Sequence, residues 1–63
     1  MKMETIGANI RKVRRQKKMR QEDLAEKAEL TPNYIGAIER GEKVPSLEAL
    51  VAIMNALGTS ANI

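Results

Sequence analysis

Residues 21–40 read QEDLAEKAELTPNYIGAIER, and the distribution of apolar and small side chains in this stretch decides the fold. Apolar residues recur at helical spacing on both sides of a short break, which predicts two short amphipathic helices joined by a tight turn. These positions are Leu24, Ala28, Leu30, Ile35 and Ile38. Ala25 is small where the second helix has to approach the first, because a larger side chain there would push the two helices apart.

Residues that commonly start and end helices flank the second of these two segments. Thr31 precedes Pro32, so a hydroxyl stands at the capping position and a proline at the first helical position, where its missing N–H is not needed. Gly41 follows this segment, and glycine is the residue type that most often stands just after a helix end. The two helices are therefore predicted over about residues 21–28 and 32–40, and the motif is a helix-turn-helix.

A further helix is predicted before this motif, over about residues 6–18. Ile6, Ile10 and Val13 lie at helical spacing on its buried side, and most of its basic residues face outward. Met19 is expected to fill the corner between this helix and the next. The motif therefore has an apolar helix face against which it can pack.

A fourth helix is predicted over about residues 47–57, with Ser46 as its cap and Gly58 as its end. The tail TSANI resembles the opening of a fifth helix capped by Ser60 and then cut short. The apolar stripe of the fourth helix is wider than one neighbour requires, so we expect most of it in the core and part of it against a second subunit. The stripe comprises Leu47, Leu50, Val51, Ile53, Met54 and Leu57.

Length and composition limit the possible classes of protein. A chain of 63 residues forms one domain and buries only about 60% of its unfolded surface. Because there is no Phe, Trp, Cys or His, the core must be aliphatic, and disulfides, thiolate nucleophiles and the common zinc ligands are excluded. We expect no metal, cofactor or small-molecule ligand, no enzymatic activity, and no membrane span or signal peptide.

Charge is distributed unevenly along the chain. Residues 1–20 hold eight Lys or Arg against one Glu, a balance of +7, and residues 21–63 hold three against seven acidic residues, a balance of −4. A basic segment of this kind offers contacts to phosphates and a field that speeds encounter with DNA. On charge alone, an ordinary solvated helix face explains it equally well.

The motif resembles the XRE family, the lambda repressor and Cro class of DNA-binding domains, in its residues QEDLAEKAELTPNYIGAIERG. The resemblance extends through IRKVRRQKKM before the motif and VPSLEALVAIMNALG after it, and so covers residues 6–58. It implies an all-α bundle of four or five helices that binds duplex DNA as a dimer and regulates transcription. With no membrane span or signal peptide expected, we expect a cytoplasmic protein of bacterial or phage origin.

Two residues depart from the family's pattern. Arg20 stands where the family has a Ser or Thr cap, and because a guanidinium cannot accept a hydrogen bond, about 1 kcal/mol is lost. Glu29 stands where the family has a turn glycine and is expected to adopt the left-handed conformation at a similar cost of about 1 kcal/mol. Arg20 is instead expected to contact a phosphate.

The resemblance also implies which residues face the bases. A recognition helix presents its first turn, and positions one turn further on, to the major groove. Asn33 alone among these residues carries hydrogen-bonding groups, which suit adenine, and the alternative is a polar helix-surface residue. The expected base contacts are Pro32, Asn33, Gly36 and Ala37. Because three of the four are apolar or lack a side chain, specificity is expected either to depend on few side chains, DNA shape and subunit spacing, or to be weak.

Phosphate contacts are expected around the same helix. Gln21 stands at the amino terminus of the preceding helix, where its amide and the helix dipole both favour a phosphate. Tyr34 either donates its hydroxyl to a phosphate or covers the core with that hydroxyl in water. The expected phosphate contacts are Arg20, Gln21, Thr31, Tyr34, Arg40 and Lys43.

The resemblance further implies a structural ion pair between Arg14 and Glu39. Loss of either partner would leave an uncompensated charge and destabilise the fold by about 3 kcal/mol. The leading hypothesis is a dimeric repressor of a partly palindromic operator, with the dimer formed through the fourth helix and the residues after it. The alternative is a protein-interaction module, such as the antitoxin of a toxin–antitoxin pair.

Overall fold

The computed structural model describes residues 3–58, with side chains from Ile6 onward. This part of the chain contains four helices and no strand, which confirms the predicted all-α class. The helices are α1 (Met3–Gln16), α2 (Gln21–Ala28), α3 (Pro32–Glu39) and α4 (Leu47–Ala56). The fifth helix predicted to start at Ser60 lies outside the described residues.

The core forms where α2 packs against both α3 and α4, while α1 packs against α3. The most completely buried large side chains are Leu24, Ile35, Ile38 and Ile53. Met19 and Leu30 pack against this core from the two corners, as the apolar pattern predicted. All apolar positions predicted for the motif therefore contribute to one aliphatic core.

Helix α1 differs from its predicted bounds at both ends. It begins at Met3 instead of Ile6 and ends at Gln16 instead of Lys18. The early end arises because Lys18 is left-handed, with φ of 58°, and the Met19 N–H then donates to the Arg14 carbonyl at 3.1 Å. This is the Schellman pattern, which usually uses glycine at the left-handed position, so the sequence carried no signal for it.

The same pattern ends α2 and α3. Glu29 has φ of 58° as predicted, and the Leu30 N–H donates to the Ala25 carbonyl at 2.8 Å. Gly41 has φ of 77°, and the helix before it ends at Glu39, one residue earlier than predicted. Helix α4 ends at Ala56 ahead of Gly58, which is also left-handed.

The helix starts agree with the predicted caps. Thr31 Oγ1 accepts a hydrogen bond from the Tyr34 N–H, and Ser46 Oγ accepts one from the Ala49 N–H, both at 3.1 Å. At α2 the Arg20 side chain accepts no such bond. The Asp23 carboxylate instead accepts from the backbone N–H of Arg20 at 2.9 Å, so half of a capping box offsets part of the missing cap.

Gly7 fixes the distance between α1 and the end of α3. A Cβ atom at this position would overlap the carbonyl oxygen of Ile38 and would lie 3.0 Å from that of Glu39. Both obstacles are backbone atoms, so neither can rotate away. The two helices can therefore approach this closely only because residue 7 has no side chain.

Candidate nucleic-acid interface

The amino-terminal turn of α3 is the most exposed part of the predicted recognition helix. Pro32 and Asn33 are exposed, and Thr31 is exposed just before them. Beside this turn an open groove brings five of the predicted contact residues together. They are Thr31, Asn33, Tyr34, Ala37 and Lys43, and Glu29 and Leu30 complete the lining.

Two of the four predicted base contacts are buried. Ala37 is only 7% exposed and lines the groove with this small part of its surface. Gly36 lies beneath other side chains, because a Cβ atom on it would be 3.0 Å from Arg40 Nη1 and 3.4 Å from Gln21 Oε1. In the structure Gly36 therefore offers no surface of its own to a base, whereas Asn33 does.

A buried charged network joins α1, α2 and α3 behind this surface. Arg14 Nε donates to Glu39 Oε2 at 2.7 Å and Arg14 Nη2 to Glu39 Oε1 at 3.1 Å. Arg14 Nη1 also donates to the Met19 carbonyl at 2.7 Å. Gln21 Nε2 donates to Glu39 Oε1 at 3.1 Å, which fixes the orientation of its side-chain amide at the start of α2.

Other predicted phosphate contacts also have partners within the chain. The Arg20 guanidinium lies 3.3 Å from Glu22 and 3.2 Å from Asp23, and its hydrogen bond lowers the pKa of the Asp23 carboxyl. The Tyr34 hydroxyl accepts a hydrogen bond from the Ser46 N–H at 3.3 Å, so it keeps its own proton to donate. Lys43 Nζ lies 5.9 Å from the centre of the Tyr34 ring.

Arg40 also has a partner within the chain. Its Nε and Nη2 donate to the two carboxylate oxygens of Glu42, at 2.8 and 3.2 Å. This hydrogen bonding, reinforced by the opposite charges, lowers the pKa of the Glu42 carboxyl. Sequence reasoning missed this pair, because its partners stand on either side of Gly41, whose left-handed conformation brings them together.

The basic residues of α1 form a separate surface. Most cationic side chains on this face are exposed, and among the described residues only that of the buried Arg14 contacts a carboxylate. A second open groove runs along this face. We call the exposed cations of α1 and of the turn that follows it the α1 basic face: Arg11, Lys12, Arg15, Lys17 and Lys18.

Exposed apolar side chains lie on α4 and the loop before it. Val44 is 57% exposed, Leu47 76% and Val51 40%. We call these three residues the apolar patch. Within residues 3–58, no helix is both long and apolar enough to cross a membrane, and no group of acidic side chains is placed to hold a metal ion.

Comparison with known proteins matches residues 10–63 to a family model described as helix-turn-helix. The chain is 44% identical over 54 residues to the immunity repressor protein of Bacillus phage phi105, and this match covers 86% of the chain and 38% of that repressor. It is 39% identical over 57 residues to the control protein C.SmaI of Serratia marcescens, covering 90% and 68% of the two chains.

A solved structure of the restriction-modification controller protein C.Esp1396I, in mutant form, has the same fold. The TM-score is 0.89 at 36% sequence identity, and the similarity covers 92% of this chain and 75% of that one. The chain thus spans most of the controller proteins but only about two-fifths of the phage repressor.

Proposed function

The chain belongs to the helix-turn-helix family of DNA-binding transcriptional regulators, and we propose that it is a repressor that binds a partly palindromic duplex operator as a dimer. The single observation that carries this proposal is the exposed first turn of α3, with Asn33 beside an open groove. One similar protein is named a repressor, a second a control protein and a third a restriction-modification controller protein.

Base reading in this proposal rests first on Asn33. Its carboxamide presents one donor and one acceptor side by side, which matches the N6 and N7 edge of adenine in the major groove. Pro32 stands next to it and offers apolar contact, for which a thymine methyl group is the suitable partner. Ala37, at the edge of the groove, is a second and smaller apolar contact.

Phosphate contacts position the domain on the duplex in this proposal. Thr31, Tyr34 and Lys43 line the groove beside Asn33, and each has a hydroxyl or ammonium group suited to a phosphate oxygen. Gln21 offers the free N–H groups at the start of α2. Arg20 would have to leave Glu22 and Asp23 to reach a phosphate, so we rank it as the weakest of these contacts.

The α1 basic face contributes a long-range field. Its five cations have no acidic partner among the described residues, so their charge remains available to attract a polyanion. Such a field accelerates association and makes affinity fall steeply as salt rises. The proposed site of action is the cytoplasm, where bacterial and phage DNA lies.

A dimer is proposed through the apolar patch and the residues that follow α4. Three exposed aliphatic side chains favour burial against a second copy, and α3 stays free for the groove. Half-sites would then lie about 34 Å apart. Leu47→Glu tests this, because an acidic residue suits the first turn of a helix and leaves the monomer folded. Sedimentation should show monomers for this variant and dimers for the parent chain.

The alternative, a protein-interaction module, is favoured by the same apolar patch if its partner is a different protein. Charge reversal at Arg40 and Lys43 separates the two functions, since it should abolish DNA binding and leave a protein partner bound. Tight binding of a defined operator by the purified chain alone would count against the alternative.

Selection of bound sequences from random duplex DNA tests the proposed function. The parent chain should enrich a partly palindromic sequence, and Asn33→Ala should lose preference at one base pair in each half-site. Asn9→Ala is the matched control, because it removes the same carboxamide from an exposed position on α1. Enrichment of no sequence by the parent chain would overturn the proposal.

A further inference from the structure

The Arg40 guanidinium lies over the middle of α3 instead of pointing away from its end. A Cβ atom on Gly36 would lie 3.0 Å from Arg40 Nη1, so the arginine side chain runs back one turn along the helix. This direction is the usual one for helical side chains, which lean toward the amino terminus. Pro32, Gly36 and Arg40 are spaced by four residues and therefore share one face.

Glu42 holds the guanidinium in this position. Its carboxylate accepts hydrogen bonds from Arg40 Nε and Nη2, and Nη1 is left on the side of Gly36. The Arg40 side chain is nevertheless 59% exposed. The edge formed by Nη1 and Nη2 consequently retains two parallel N–H groups that Glu42 does not use.

We propose that Arg40, positioned over Gly36 by Glu42, reads a guanine in the major groove and is a specificity-determining residue of this domain. This inference rests on the proposed function. The two free N–H groups match guanine O6 and N7, the pairing by which arginine most often reads a base. Gly36 contributes by its lack of a side chain, which leaves room for the guanidinium on the base-facing side of α3.

The negative charge of Glu42 makes a base a better partner for Arg40 than a phosphate. A carboxylate bound to the guanidinium would repel a phosphate placed against the same group. A guanine edge is neutral and presents acceptors only, so it binds the free edge while Glu42 keeps the other. Glu42 is thus a positioning residue. Arg40 adds a cationic side chain to the few proposed base contacts, Pro32, Asn33 and Ala37.

The test measures affinity of the full chain for the selected duplex and for its single base-pair variants at one salt concentration. The parent chain should prefer G·C at one position by about 10-fold or more. Arg40→Lys keeps the charge but loses the two parallel N–H groups of the guanidinium, so this preference should fall below about threefold. Glu42→Gln should bind all duplexes more tightly, because a negative charge is gone, and yet discriminate less at that position.

Two further variants keep the test decisive. Glu26→Gln makes the same charge change on the outer face of α2 and should retain the guanine preference. Gly36→Ala should fold, since only flexible side-chain ends oppose its Cβ, and should lower the preference by displacing Arg40. Circular dichroism confirms the fold of each variant.

The outcomes that overturn the assignment differ from those that overturn the proposed function. Arg40→Gln could weaken binding to all sequences equally and reduce, by about one, the slope of the logarithm of the binding constant against the logarithm of the salt concentration. Arg40 would then be a phosphate contact, and the guanine assignment would fail while the proposed function stands. A guanine preference unchanged in Arg40→Lys has the same meaning. A parent chain that enriches no sequence removes the proposed function and this assignment together.

Discussion

Arg14 of α1 and Glu39 of α3 form a two-point ion pair in which each residue is only 8% exposed. The pair also receives the Gln21 amide from α2, so three helices meet at one carboxylate. These bonds orient Gln21 at the start of α2. A structural ion pair therefore links the core to the surface that is proposed to bind DNA.

Arg14→Met should destabilise the fold by about 3 kcal/mol, because Glu39 would remain buried with most of its charge uncompensated. Urea denaturation followed by circular dichroism measures the change. Arg15→Met is the control, since the neighbouring arginine is exposed and its loss should change the free energy of unfolding by less than about 0.5 kcal/mol. Equal effects of the two substitutions would contradict a structural role for the pair.

Gly7→Ala should destabilise the fold by about 2 kcal/mol or more, since the added methyl group meets backbone carbonyls that cannot move independently. Gly36→Ala is the matched substitution in α3. It should stabilise the fold by up to about 1 kcal/mol, because alanine is the better helix former and only side-chain tips must shift. Thermal unfolding of both variants tests the contrast, and a tolerated Gly7→Ala would argue against the close approach.

Glu29→Gly should stabilise the fold by about 1 kcal/mol, because glycine adopts the left-handed conformation of this turn without strain. Glu26→Gly provides the control within the same helix. There the substitution should cost about 1 kcal/mol, since it places glycine in a helix interior. A loss of stability in Glu29→Gly, measured by urea denaturation, would show that the side chain contributes more than the strain removes.

The Arg40–Glu42 pair predicts a pH dependence. Because the pKa of Glu42 is lower in the folded chain than in the unfolded chain, the pair's contribution to stability is complete above the unfolded-state pKa and is lost as the pH falls through the folded-state pKa. Titration of the Glu42 carboxyl carbon by NMR should show this low pKa, and Arg40→Gln should raise it. Lys27→Gln removes an equal charge elsewhere and should leave it unchanged; an equal rise in both variants would contradict the pair.

Most of the fold could be predicted from the sequence because its signals are local. The bounds of α2 follow from apolar spacing, and the starts of α3 and α4 follow from Thr31 and Ser46, whose hydroxyls act within their own first turns. The end of α1 could not be predicted, since Lys18 adopts a conformation that its residue type seldom signals. The importance of Gly7 depends on where α3 ends in space, which no local pattern contains.

The places of the candidate site residues in the fold were predictable in outline, because they follow from the resemblance and the helix bounds. The resemblance implied that Asn33 lies on the recognition helix, and the structure shows Asn33 exposed on α3. It did not indicate that Gly36 lies beneath Arg40, because that contact depends on the turn at Gly41 and on the direction of one long side chain. Contacts between side chains on either side of a turn depend on the three-dimensional path of the backbone, which a local sequence pattern does not contain.

An NMR titration of the labelled chain with the selected duplex tests most directly whether the surface formed by α2 and α3 binds duplex DNA. We expect the largest changes at the amides of Gln21 and of residues 31–40, and small changes at exposed positions of α2 such as Glu26. Changes confined to the apolar patch, or none along α3, would contradict this expectation.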